Sequence, residues 1–206
     1  MTNCIEANKK TKERTKEIII TGFGGQGIIL IGRIMGKAAA IGDHMESTMV
    51  QSYGPESRGG ECSAQIIISD KNIHFPYIKA PDILACMSQS GYDKYKANIT
   101  TGNTILIDQD LIRYNKKAEV DCFSIPATRM AEDLGKKMMA NIIMLGFVTA
   151  VTKVISMDAA KNTVAKSVPK GTEELNMKAF DAGCYYGLAA LKGGEKKVTG
   201  RTGAGL

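Results

Sequence analysis

The chain has 206 residues, 44% of them hydrophobic and 23% charged, with a formal net charge of +6. That is ordinary globular composition, enough for one α/β-sized domain with a single core, and it excludes a wholly disordered chain. The positive charge gathers at the two ends, at Lys9–Lys16 and Glu195–Arg201, without interleaved aromatics, which argues against a nucleic-acid surface.

In chain order, residues 1–16 read as a flexible basic arm. Glu17–Thr21 read as a short buried strand, because Ile18, Ile19 and Ile20 are consecutive and β-branched. Gly22–Gly27 form a glycine-rich turn. Ile28–Ile41 then read as a helix, apolar almost all round and so covered on both sides. Gly32 and Gly36 would let it approach a sheet closely, and Gly42 ends it. His44–Gln51 read as a second strand, 52–61 as a loop, and Cys62–Ser69 as a third strand with Cys62, Ala64, Ile66 and Ile68 on one face. Asp70-Lys71-Asn72 is turn chemistry, so Ile73–Phe75 is expected to return as a hairpin. Ile83–Met87, Thr104–Ile107 and Val120–Ile125 read as further strands, with a short helix near Tyr92–Lys96.

The last third reads as helical. Met130–Leu134 and Met138–Val154 show helical spacing with a break at Gly135, and Asp158 and Thr172 are expected to cap two more helices, the second reaching about Leu191. The Met130, Met138, Met139 and Met144 stripe reads as core filling. Residues 193–206 read as a disordered tail. Strands alternating with helices, then helices alone, indicate an α/β domain over 17–192 with a mainly parallel sheet and a hairpin insertion.

Five cysteines (Cys4, Cys62, Cys86, Cys122, Cys184) are too widely spaced for a CxxC metal pair or a disulfide framework. The longest apolar run, Ile142–Val151, is far short of the ~20 residues of a membrane helix, and no secretory pattern is read at the start. A protein of the reducing cytoplasm is expected, with no metal of its own.

Two motifs point to a site. Gly22, Gly24 and Gly27 make a GxGxxG that follows a strand and opens a helix, where free N–H groups attract an anion. As a dinucleotide motif it is incomplete, since Asp43 lies at the start of the second strand rather than at its ligand end. The second motif, 52–61, lies at the carboxyl end of that strand, the ligand edge of an open α/β sheet. There Arg58 stands next to Gly59 and Gly60 and can present its guanidinium to an anion, Tyr53 offers a ring and hydroxyl, and Glu56 can pair with Arg58. On the residues alone, a stand-alone NAD or FAD binder and a purely structural partner with buried loops stay open.

Together, Gly24-Gly25-Gln26-Gly27, Ser52-Tyr53-Gly54-Pro55-Glu56-Ser57-Arg58-Gly59-Gly60 and Ala80-Pro81-Asp82-Ile83-Leu84 resemble the gamma subunit of 2-oxoacid:ferredoxin oxidoreductases, over roughly residues 17–185. The resemblance implies a Rossmann-like domain within a larger enzyme that decarboxylates a 2-oxoacid to an acyl-CoA and passes electrons to ferredoxin. It implies alpha and beta subunits, and a ferredoxin-like delta subunit, which carry the thiamine diphosphate and iron–sulfur clusters. Coenzyme A is expected near this chain, with Gly24, Gly25, Gln26, Gly27, Tyr53, Glu56, Ser57, Arg58 and Gly59 as the contacting residues. Phe23 and Ser57, where pyruvate-type chains tend to carry arginine, make it look closer to the 2-oxoglutarate type than to pyruvate or branched-chain/indolepyruvate types.

Overall fold

The computed structural model describes residues 14–54, 59–115 and 120–193. Six strands form one sheet: β1 (Thr15–Phe23), β2 (Glu46–Tyr53), β3 (Glu61–Ser69), β4 (Ile83–Cys86), β5 (Thr104–Asp108) and β6 (Asp121–Ile125). Their order is β2-β3-β1-β4-β5-β6. β1, β4, β5 and β6 are mutually parallel, while β3 runs antiparallel between β1 and β2. β1 and β4 are buried on both faces, which is why they read as unbroken apolar runs.

The helices are α1 (Ile28–Lys37), α2 (Gln89–Tyr95), α3 (Ala127–Asp133), α4 (Ala140–Thr152), α5 (Met157–Ser167) and α6 (Glu173–Lys192). α1 continues through a π-helical turn, Ala38–Gly42. One sheet face, with Ile18, Ile20, Ala64, Ile66 and Leu106, carries the main core beneath α1, α4, α5 and α6. The other, with Ile19, Ile67, Leu84 and Ile107, packs on Tyr92 and Tyr95 of α2. The expected alternation of Cys62, Ala64, Ile66 and Ile68 holds, all four facing the main core. Gly32 lets α1 settle on β3: a Cβ there would lie 2.6 Å from Ala64 Cβ. α4 and α6 pack closest of all. A Cβ on Gly183 would lie 2.0 Å from Ile143 O, and one on Gly146 2.1 Å from Phe180 O.

Several expectations are corrected. Ile73–Phe75 forms no strand, because both edges of β3 are already paired, to β1 and to β2. The inserted hairpin is β2–β3 instead, so its connection is the second motif itself. β1 begins at Thr15, two residues inside the stretch expected to be an arm. α1 is not covered all round, since Ile41 is 72% exposed. α3 starts at Ala127 directly after Pro126, three residues before Met130. Ser156, not Asp158, caps α5, its Oγ accepting from Ala159 N at 3.2 Å. Of the methionine stripe, Met144 is core but Met138 is exposed. The expectations for residues 1–13 and 194–206 lie outside the described residues.

Candidate functional site

The carboxyl ends of β1, β4, β5 and β6 share one edge of the sheet, and the loops leaving them build the site. The first loop is held by its own glutamine. Gln26 Oε1 accepts from Phe23 N at 2.7 Å, and Gln26 Nε2 donates to Met87 O at 2.9 Å. Gly22 makes room for that side chain, since a Cβ there would meet Gln26 Oε1 at 2.5 Å. Gln26 thereby ties the β1–α1 loop to the residue that follows β4. Gly27 then turns left-handed, with φ 75°, to launch α1. The first turn of α1 has no acidic residue and no side-chain cap.

The second motif stands beside the first. Gly24 N donates to Gly60 O at 2.8 Å, and Gly54 N to Glu61 O at 2.6 Å. Gly59 lies just inside this closure, with φ 71°. Tyr53 projects outward, its hydroxyl 3.0 Å from Gln51 Oε1. Of the expected contact residues, Gly24, Gly25, Gln26, Gly27, Tyr53 and Gly59 are thus gathered at one edge. Glu56, Ser57 and Arg58 lie outside the described residues.

A cleft of about 250 Å³ opens at this edge. Gly25 and Gln26 form one wall; Met87, Leu111, Thr128, Lys137, Met138 and Ala140 complete it. Sequence reading missed these six, which come from four separate segments. The one available signal was topological: each lies just after a strand or just before a helix on the ligand edge.

Behind Thr128 sits Asp108, fully buried at the end of β5. Its Oδ2 accepts from Thr128 N (2.9 Å) and Thr128 Oγ1 (2.6 Å), and its Oδ1 from Asp110 N (3.1 Å). Burial raises its pKa above the ordinary value, and these hydrogen bonds offset that only in part. Burial likewise pushes Cys122 and Cys184 up to about 12 and Cys86 well above the usual thiol range. Among the described residues no group of His, Cys, Asp and Glu could hold a metal ion, and no helix is long and apolar enough to cross a membrane.

The dinucleotide geometry is not assembled. In that arrangement the second parallel strand lies next to the first and supplies the acid; here β3 intervenes between β1 and β2. Asp43 is occupied at the opposite end of β2, its Oδ2 accepting from Ser156 N at 2.7 Å.

Residues 17–186 match the family described as pyruvate ferredoxin/flavodoxin oxidoreductase. A curated relative, the 2-oxoglutarate synthase subunit KorC of Methanocaldococcus jannaschii, is 48% identical over 179 residues, spanning 85% of this chain and 96% of that protein. The solved keto/oxoacid ferredoxin oxidoreductase gamma subunit of Geobacter sulfurreducens is 39% identical with a TM-score of 0.76, covering 85% and 99%. The 2-oxoglutarate:ferredoxin oxidoreductase of Magnetococcus marinus shares the fold at 21% identity and TM-score 0.78, over 85% of this chain and 31% of that one.

Proposed function

The chain belongs to the pyruvate ferredoxin/flavodoxin oxidoreductase family, and we propose that it is the gamma subunit of a cytoplasmic 2-oxoglutarate:ferredoxin oxidoreductase. The observation that carries this is near end-to-end likeness, at 48% identity, to a 2-oxoglutarate synthase subunit. The reaction converts 2-oxoglutarate, coenzyme A and two oxidised ferredoxins to succinyl-CoA, carbon dioxide, a proton and two reduced ferredoxins. Thiamine diphosphate, supplied by the partner alpha and beta subunits, stabilises the carbanion left by decarboxylation, and iron–sulfur clusters there and in a ferredoxin-like delta subunit carry the electrons.

This chain contributes binding. Its glycine loop presents first-turn amides of α1, and the adjoining hairpin brings Arg58 to the same edge, to hold phosphate groups of coenzyme A. A guanidinium–phosphate contact contributes about 1.5–3 kcal/mol. Arg58→Ala in the assembled enzyme is therefore expected to raise KM for coenzyme A roughly 10- to 100-fold, with kcat at saturation kept. Unchanged KM would remove Arg58 from the site. The assignment as a whole is tested by native pull-down from the source cell. Co-purifying thiamine-diphosphate and iron–sulfur subunits, with coenzyme A-dependent oxidation of 2-oxoglutarate by a viologen acceptor, supports it; preference for pyruvate overturns the substrate.

A further inference from the structure

Asn141 is a polar residue in the first turn of an otherwise apolar helix, α4, and only 7% exposed. Its Oδ1 accepts from Ile142 N at 2.8 Å, which fixes the amide's orientation. The NH₂ group therefore faces Gly27, where an added Cβ would lie 2.1 Å from Nδ2. No acceptor lies within hydrogen-bond distance of Nδ2 among the described residues. A buried donor left unpaired costs about 1–3 kcal/mol, so its persistence calls for a partner outside the chain.

The amide points to a place suited to negative charge. Gly27 opens α1 and touches the second residue of α4, so the N-termini of two helices, of 10 and 13 residues, meet here. Each terminus carries partial positive charge. Neither first turn contains an acid, and neither has a side-chain cap. Lys137, just ahead of α4, lines the adjoining cleft. The nearby carboxylates are engaged: Glu132 pairs with Lys137 at 2.9 Å on the surface, and Asp108 accepts from three donors behind Thr128. Gly25 leaves an open approach, with nothing within 4 Å of a Cβ built there.

We propose that the junction of α1 and α4 binds an oxyanion, the phosphate or carboxylate group of a small ligand, with the Asn141 amide donating to it. Leu111 and Met138 line the same cleft, so the ligand carries an uncharged, apolar portion beside its anion. This adds a second helix and a specific donor to the glycine loop, and it does not depend on which oxoacid the enzyme uses.

The test is titration of the full ¹⁵N-labelled chain with pyrophosphate, inorganic phosphate and succinate at constant ionic strength, read by NMR. Saturating shifts of the Asn141 side-chain NH₂ and of the Gly25 and Gly27 amides are expected, and the anion that saturates first tells phosphate from carboxylate. Asn141→Asp keeps the acceptor for Ile142 N but replaces the donor with negative charge. It should weaken binding at least about tenfold, equivalent to ~1.4 kcal/mol. Should that variant fold poorly, Lys137→Met, on an exposed side chain, is expected to weaken binding several-fold. An unmoved Asn141 NH₂, or non-saturating shifts spread over surface lysines, overturns the proposal. The readout uses no coenzyme A and no partner subunit, so its failure leaves the family reading untouched.

Discussion

Replacing Gly183 with alanine probes the closest helix contact in the molecule. A Cβ there would sit 2.0 Å from Ile143 O, about 1.4 Å short of the 3.4 Å at which ordinary contact begins. The obstacle is backbone, so rotamer changes do not relieve it. α4 and α6 must separate, and the seam lined by Phe147, Ala150, Ala179 and Phe180 opens. A gap of 0.5–1 Å already forfeits roughly a quarter to a half of each contact's attraction. Overpacking that moves backbone costs on the order of 3–4 kcal/mol, and alanine's better helix propensity returns about 1. The expected net loss is about 2–3 kcal/mol, a fall in Tm of roughly 4–12 °C for a domain of this size. Urea and thermal melts followed by far-UV circular dichroism measure it. Gly36→Ala is the control. It faces only Ser47 Oγ at 3.2 Å, a side chain that can rotate away, and should be neutral or stabilising by up to about 1 kcal/mol. A Gly183→Ala protein that melts with the wild type would refute the packing argument.

Asp108→Asn should cost about 1–3 kcal/mol at neutral pH, because an amide cannot accept from both Thr128 and Asp110. The sign of its pH dependence is also determined. Burial raises the folded-state pKa, so the folded protein holds this proton more tightly than the unfolded chain, and the contribution to stability falls as pH rises from about 3.8 through the raised value. The gap between wild type and Asp108→Asn should therefore widen on acidification; a gap that narrows contradicts it. Cys86, Cys122 and Cys184, whose thiols burial holds protonated, should resist iodoacetamide at pH 8 in the native chain and label fully in urea, as mapped by mass spectrometry. Rapid native labelling of Cys184 would mean that α6 detaches from α4.

The order of strands and helices was legible wherever burial left a local trace. Three consecutive isoleucines mark β1 because Ile18 and Ile20 face one core and Ile19 the other. The glycine pattern placed the site at the correct end of the sheet. Partnership between strands carried no such trace. Asp70-Lys71-Asn72 is good turn chemistry, yet whether Ile73–Phe75 can pair depends on β2 having already taken the free edge of β3. Capping turned on a competition one position wide, between Ser156 and Asp158, and the serine side chain won. The cleft was invisible for a different reason. Leu111, Thr128 and Lys137 are brought to Gln26 by three strand–loop connections, and no short window contains two of those segments together. Asn141 left a faint mark, one amide at the border of the longest apolar run, whose meaning required knowing that Gly27 lies against it.

The 2.8 Å hydrogen bond from Gly24 N to Gly60 O joins two loops that are 36 positions apart. It makes them one mechanical part. A partner that tugs on the β2–β3 hairpin pulls directly on the backbone that launches α1, and a ligand seated on that backbone stiffens the hairpin in return. Docking of a neighbouring subunit and occupancy of the glycine loop are then linked events, each felt by the other through a single peptide group.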